Sequence, residues 1–276
     1  MIIANMKTFI KIGLFCMLVF FSCGGRKTSG YDYAAGAYGK SAYACFNEGD
    51  FTGAKKLYSK ALLIAQHSDM PSLKARYLFN IGRVYFEEDA FDSAQKYFLE
   101  SYSEFLFLGD TLSASSAAGF ICLSYAGIGA LDSAKMIADG TGTGGGAFWG
   151  MVRGRLYLNE GRPEDALREF SAVADLYKKK KNFEQLSLNC FLRGKAALYL
   201  KDFKRSRELL DSSIVLLDKT GVRYSRWRVL TGLSALEFCT GEEQRGVMFY
   251  RRAQECAPEG VIIPALEKVK SCSELN

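Results

Sequence analysis

Two segments, "FNEGDFTGAKKLYSKAL" (residues 46–62) and "FEEDAFDSAQKYFLESY" (residues 86–102), decide the fold because the second repeats the pattern of the first 40 residues later. In both, a turn-like break precedes a phenylalanine, a small residue follows three positions later, and an aromatic residue follows four positions after that. The frame recurs in residues 126–140, 158–173, 198–213 and 238–253. The small residues are spaced by 40, 40, 32, 40 and 40 positions: Ala54, Ala94, Ala134, Ala166, Ser206 and Gly246.

An apolar stretch with helical spacing precedes each of these segments, as in "LFNIGRVYF" (residues 78–86). Each unit therefore predicts a hairpin of two helices, A and B. The whole chain contains only four prolines, which favours an all-α fold over a strand-rich one. A small residue in each helix A is expected to let helix B approach closely: Ala42, Gly82, Cys122, Gly154, Gly194 and Ser234.

This pattern resembles the tetratricopeptide repeat (TPR), which has small residues at motif positions 8, 20 and 27 and large apolar residues at positions 11, 17 and 24. The usual TPR period is 34 residues, so the 40-residue spacing indicates extended repeats. The resemblance implies an all-α solenoid of about six helical hairpins over residues 31–258, followed by a C-terminal capping helix in residues 259–276. In the second unit the matching residues are Gly82, Tyr85, Phe91, Ala94, Phe98 and Ser101.

The segment "GTGTGGG" (residues 140–146) interrupts the period. It matches a dinucleotide-binding GxGxxG pattern formally, but such a pattern must follow a strand, and this one follows a predicted helix. The sequence instead predicts a glycine-rich hinge in residues 140–147, between TPR units 1–3 (31–139) and units 4–6 (148–258).

The N-terminus has the regions of a secretory signal peptide. Lys7 and Lys11 precede ten apolar residues, too few to cross a bilayer, where a helix needs about twenty. The residues "FFSC" (20–23) resemble the lipobox of bacterial lipoproteins, which implies a signal peptide in residues 1–22, an acylated Cys23 and a flexible tether in residues 23–30. An ordinary signal peptide, with Cys23 incidental, remains the alternative. Gly24 favours the outer membrane, since an aspartate there retains some lipoproteins in the inner one.

Composition and motifs argue against catalysis. The net charge of +6 becomes +4 if Lys7 and Lys11 leave with the signal peptide, which is too mild to indicate nucleic-acid binding. His67 is the only histidine, and metal-binding or nucleophile motifs are absent from the sequence. We therefore predict no enzyme activity, cofactor or metal. A disulfide between Cys256 and Cys272 is left open.

In TPR proteins, helix A lines a concave groove that binds partners. Carrying the groove positions over places a basic stripe on this face, and Asn80 matches one position of the carboxylate clamp of chaperone-binding TPR domains. We expect these residues to bind a protein or peptide, with an acidic segment as the natural complement. The predicted partner-binding residues are Arg76, Asn80, Arg83, Arg155, Lys195 and Arg228.

The sequence therefore predicts a membrane-anchored TPR scaffold for protein–protein interaction at the bacterial cell envelope. The alternative is a surface or periplasmic lipoprotein that binds a ligand or glycan through aromatic residues on the concave face. The aromatic candidates are Tyr43, Phe79, Phe148 and Phe191.

Overall fold

A computed structural model describes residues 30–141 and 146–271, which form thirteen α-helices and no strand. The predicted all-α solenoid of about six helical hairpins is confirmed: among the residues described, twelve helices pair as six hairpins, and a short thirteenth follows. The helices are α1 Gly30–Glu48, α2 Phe51–His67, α3 Pro71–Glu87, α4 Phe91–Phe107, α5 Thr111–Gly127, α6 Leu131–Thr141, α7 Ala147–Asn159, α8 Pro163–Lys179, α9 Phe183–Tyr199, α10 Phe203–Thr220, α11 Arg226–Cys239, α12 Glu243–Cys256 and α13 Leu266–Lys270.

Several sequence predictions fall outside these residues, namely the signal peptide, the acylation of Cys23 and the middle of the glycine-rich hinge. Among the residues described, no helix combines the length and apolar character needed to cross a bilayer. Helix α6 has 11 residues, whereas α2 to α5 have 17 each, and it ends at Thr141, inside the hinge predicted for residues 140–147.

A residue with positive φ lies in most turns between helices, and it recurs every 20 residues. A 17-residue helix plus a three-residue turn thus forms half of the 40-residue repeat. Between Gly129 and Gly161 the interval is instead 32, because α6 and α7 are short. The positions are Gly49, Asp69, Asp89, Gly109, Gly129, Gly161, Lys181, Lys201, Gly221 and Gly241.

The small residues of helix A bring the helices of each hairpin together, as the sequence predicts. A Cβ atom on Gly154 would lie 2.3 Å from the ring of Phe170, and one on Gly82 would lie 2.8 Å from the ring of Phe98. In the sixth unit the small residue also forms a hydrogen bond across the hairpin, since Ser234 Oγ donates to the carbonyl oxygen of Gly246 at 2.8 Å. Larger side chains at these positions would separate the helices.

The solenoid curves until its first and last units touch. The rings of Phe46 and Tyr224 lie 4.6 Å apart, and the backbone N–H of Arg223 donates to the carbonyl oxygen of Asn47 at 2.9 Å. Pro258 packs 3.2 Å from the Cβ position of Gly49. Buried residues of α1 to α3 and of α9 to α12 consequently share one hydrophobic cluster.

The C-terminal segment differs from the predicted capping helix. Residues 257–265 are not helical, and α13 spans only five residues. Pro264 lacks a backbone N–H and disfavours helix at the residue before it, which explains why no continuous helix forms. The hydroxyl of Tyr250 donates to the carbonyl oxygen of Pro264 at 3.0 Å and ties the segment to α12.

The structure answers the question of the disulfide that the sequence leaves open. Cys256 is a free thiol, so the Cys256–Cys272 bridge does not form. Cys239 in α11 is disulfide-bonded instead.

Candidate functional site

A cavity of about 590 Å³ lies inside the curved solenoid. The C-terminal halves of α3, α5 and α7 form one side, and α9, α10 and α11 form the other. Ile262 and Pro264 of the C-terminal segment lie at its edge, and the side chain of Ile262 is 85% exposed. The volume is within the range of small-molecule and short-peptide sites. Its apolar wall is built mainly from Phe86, Phe91, Leu123, Phe191, Leu192 and Trp227.

An ion cluster closes the cavity between α3 and α11. The guanidinium of Arg228 pairs with the carboxylate of Glu87, and it donates to the carbonyl oxygen of Glu87 at 3.1 Å and to Asp89 Oδ1 at 3.4 Å. Burial lowers the pKa of Arg228, but the charges of Glu87 and Asp89 outweigh burial and raise it overall. Burial raises the pKa of Asp89, and Arg228 opposes that effect. Arg228 is therefore a charge already satisfied within the protein.

Arg83 of α3 does not line the cavity, but it lies near three residues that do, Tyr224, Glu87 and Glu184. Its guanidinium lies 4.9 Å from the ring centre of Phe46. Burial lowers the pKa of Arg83, whereas Tyr224, Glu87 and Glu184 together raise it above its ordinary value. The hydroxyl of Tyr224 in turn donates to Glu184 Oε1 at 3.3 Å.

Arg155 and Lys195 differ from Arg228, because neither forms an ion pair or a side-chain hydrogen bond with any residue that the structure describes. Arg155 only stacks over the ring of Phe86, 5.1 Å from its centre. Both side chains line the cavity and are half-buried. Burial lowers the pKa of Arg155 to about 10. Burial, with repulsion from Arg155 and Arg228, lowers the pKa of Lys195 to about 7.

The cavity thus collects three of the six residues predicted to bind a partner: Arg155, Lys195 and Arg228. Arg83 lies beside it. Arg76 is exposed on α3, where its charge helps to lower the pKa of Asp110 after the hydrogen bonds from Ser113 and the backbone. Asn80 is half-buried on α3 and does not line the cavity.

The aromatic residues considered for glycan stacking are dispersed. Phe79 packs 5.5 Å from Phe98, and Phe148 packs 5.7 Å from Phe120, so both belong to the hydrophobic core rather than to a concave surface. Tyr43 is exposed on α1, and Phe191 alone of the four lines the cavity. His67 lies exposed at the C-terminal end of α2.

Sequence reasoning missed the acidic half of the site. Glu87 ends α3 and Asp89 lies in the turn that follows it, and their long-range partner Arg228 has no periodic relation to them. Tyr224 lies in the longer loop between α10 and α11, residues 221–225, and that extra length was the only sequence signal of its role.

Residues 33–103 match the family model of the tetratricopeptide repeat. No curated protein matches the chain. The solved structure of the Rap conjugation gene regulator of plasmid pLS20, in complex with the Phr* peptide, aligns with a TM-score of 0.65 and 17% identity over 91% of this chain and 66% of that one. A Rap protein complexed with Competence and Sporulation Factor aligns with a TM-score of 0.57 and 14% identity, over 85% and 75%. The chain spans just under two thirds of the first regulator, and both likenesses show the fold.

Proposed function

We propose that this chain, which contains tetratricopeptide repeats, is a scaffold that holds a short segment of a partner protein in the cavity between α3, α7, α9 and α11. The observation that carries the proposal is the cavity itself. Arg155 and Lys195 line it without an ion-pair partner among the described residues, and its wall is largely apolar. Two solved proteins of similar fold were crystallised with a peptide or with a factor, which supports a peptide as the occupant.

We further propose that Cys23 carries lipid and tethers the scaffold to a membrane of the bacterial cell envelope. The support is the order of the basic, apolar and small residues before Cys23. Two or three acyl chains would anchor the protein stably, whereas one would hold it only marginally. The tether leaves the cavity free to receive a partner next to the membrane.

Photo-crosslinking in cells tests the occupant. A crosslinking residue at Ile262 replaces a side chain that is 85% exposed at the edge of the cavity, so the change leaves the core undisturbed. The matched control replaces Leu112, which is 80% exposed on α5 and lies outside the cavity. We expect one dominant protein adduct from position 262 and none from position 112.

Equal adducts from both positions, or adducts of low mass only, would overturn the scaffold. Fractionation of the same cells tests the tether independently. The chain should sediment with membranes, and the Cys23→Ser variant should move to the supernatant. A variant that still sediments would reject lipid anchoring at Cys23 without touching the cavity.

A further inference from the structure

Two cationic side chains that line the cavity, Arg155 and Lys195, form no ion pair with the residues that the structure describes. Arg228 pairs with carboxylates that belong to the chain, those of Glu87 and Asp89. Arg155 and Lys195 have no such carboxylate within ion-pair distance among the described residues. Buried charges are ordinarily paired, because leaving one unpaired in a poorly hydrated place is costly. Two cations that face a cavity without an ion-pair partner therefore form a binding site for an anionic group of a ligand.

The surroundings restrict what that anion can be attached to. Beside Arg155 and Lys195 the cavity wall is apolar and aromatic, formed by Phe86, Leu123 and Phe191. A free inorganic anion would leave this wall bare, whereas a carboxylate on an apolar body would cover it and face both cations. Arginine also suits a planar carboxylate, to which it can donate two parallel hydrogen bonds.

We propose that Arg155 and Lys195 form the anion-binding end of the cavity, that they receive one carboxylate of a peptide ligand, and that Lys195 takes up a proton when this carboxylate binds. This inference rests on the proposed function in placing the ligand in the same cavity. It goes further by naming the group that is recognised and by coupling recognition to protons. The carboxylate belongs either to the C-terminus of the peptide or to an acidic side chain.

The charges that face Lys195 explain the coupling. Arg155 of α7 and Arg228 of α11 repel its charge, and Asp89 after α3 attracts it. Helices α8 and α10 also pack against α9, but they add no charged residue to the described lining of the cavity. The pKa of Lys195 is about 7 without ligand. A bound carboxylate raises it, so affinity is full below pH 7 and falls above it, by about tenfold per pH unit until the pKa of the complex is reached.

Three dipeptide probes separate the two sources of the carboxylate. They are N-acetyl-leucyl-phenylalanine with a free carboxylate, the same dipeptide as its amide, and N-acetyl-leucyl-glutamyl amide, whose side chain holds its only carboxylate. We expect the full chain to bind at least one acidic probe in titration calorimetry and not the neutral amide. Preference for the first acidic probe identifies a C-terminal carboxylate, and preference for the second identifies a side chain.

The variants test the residues. Lys195→Met and Arg155→Met should each weaken binding of the acidic probe by roughly ten- to hundredfold at pH 6.5, the usual effect of losing a charged hydrogen bond. Lys195→Arg should retain binding and lose its pH dependence between pH 6.5 and 9, because arginine stays charged there. Lys204→Met, at an exposed position of α10, is the control and should bind as the unmodified chain does.

The pKa of Lys195 can also be measured directly. Competitive acetylation followed by mass spectrometry should report a pKa near 7 for Lys195, and the acidic probe should raise this pKa while it leaves the reactivity of Lys204 unchanged. An ordinary pKa at Lys195, equal binding of acid and amide, or no probe bound at about 10 mM would each overturn the inference. If a protein crosslinks at position 262 in such a case, the scaffold stands without its anion site. If acidic probes bind through Lys195 but no protein crosslinks, the scaffold fails and the anion site stands.

Discussion

Lys195 reduces the stability of the folded chain as long as its site is empty. Its amine is half-buried and is repelled by Arg155 and Arg228, so folding disfavours the charged form. Functional sites are where such strain is commonly retained, because the bound ligand relieves it. Raising the pH should therefore increase the stability of the empty protein through Lys195 and decrease its affinity for the ligand.

We predict that deprotonation of Lys195 makes the free energy of unfolding rise between pH 7 and pH 10. The pKa of its amine is about 7 in the folded chain and near 10.4 in the unfolded one, so between these values the unfolded state holds more protons and raising the pH favours folding. At pH 7, Lys195→Met should be more stable than the unmodified chain. The difference should shrink by up to about 1.4 kcal/mol per pH unit and vanish near pH 10.

Urea unfolding followed by tryptophan fluorescence measures this difference, since Trp149 and Trp227 are both buried. Lys204→Met provides the reference for loss of an exposed lysine. Stability curves of Lys195→Met and the unmodified chain that run parallel from pH 7 to pH 10 would contradict the prediction.

At the scale of elements, the distance between the two helices of a hairpin depends on the small residue in helix A. Gly154 of α7 is the tightest case in the fourth unit, because the ring of Phe170 from α8 occupies the space of its missing side chain. Gly36 of α1 is the contrasting case, with no atom within 4 Å of its Cβ position. Both glycines lie inside helices, so their intrinsic helix propensity is the same.

We predict opposite effects of alanine at these two glycines. Gly154→Ala should lower the free energy of unfolding by about 1–3 kcal/mol, because the new methyl group forces α7 and α8 apart. Gly36→Ala should raise it by about 0.5–1 kcal/mol, the ordinary gain in a helix interior. Thermal unfolding followed by circular dichroism compares them, and stabilisation by Gly154→Ala would disprove the close approach.

These elements could be predicted from the sequence because their contacts are local. The contact of Gly154 with Phe170 joins residues 16 positions apart, and the same relation recurs in other units, so the period reveals it. The C-terminal segment could not be predicted in this way. Its apolar residues suggested a helix, but Pro264 breaks the pattern, and Ile262 and Pro264 extend to the edge of the cavity.

At the scale of the whole molecule, the cavity exists because the solenoid closes. Stability in repeat proteins is usually a sum of neighbouring units. Here the first and last units share a hydrophobic cluster, and Arg228 pairs with carboxylates about 140 positions earlier in the chain. Such contacts occur once and have no period, which is why the sequence indicated a basic concave face but neither the acidic residues nor the closure.

We predict that Tyr224→Ala loosens both ends of the chain at once. The ring of Tyr224 packs against Phe46, and its loop donates a backbone hydrogen bond to Asn47, so losing the ring removes contacts of the first unit as well as of the last. The free energy of unfolding should fall by about 3–5 kcal/mol, as for other buried aromatic residues. Hydrogen exchange should rise in residues 44–50 as well as in residues 220–226.

Tyr177→Ala is the matched control, because Tyr177 of α8 is as buried as Tyr224 but contacts a cluster formed by α7 to α9. Its exchange should rise within those helices and leave residues 44–50 unchanged. If Tyr224→Ala also left residues 44–50 unchanged, the two ends would open independently. The solenoid would then behave as a linear array, and the cavity would not persist as a closed site in solution.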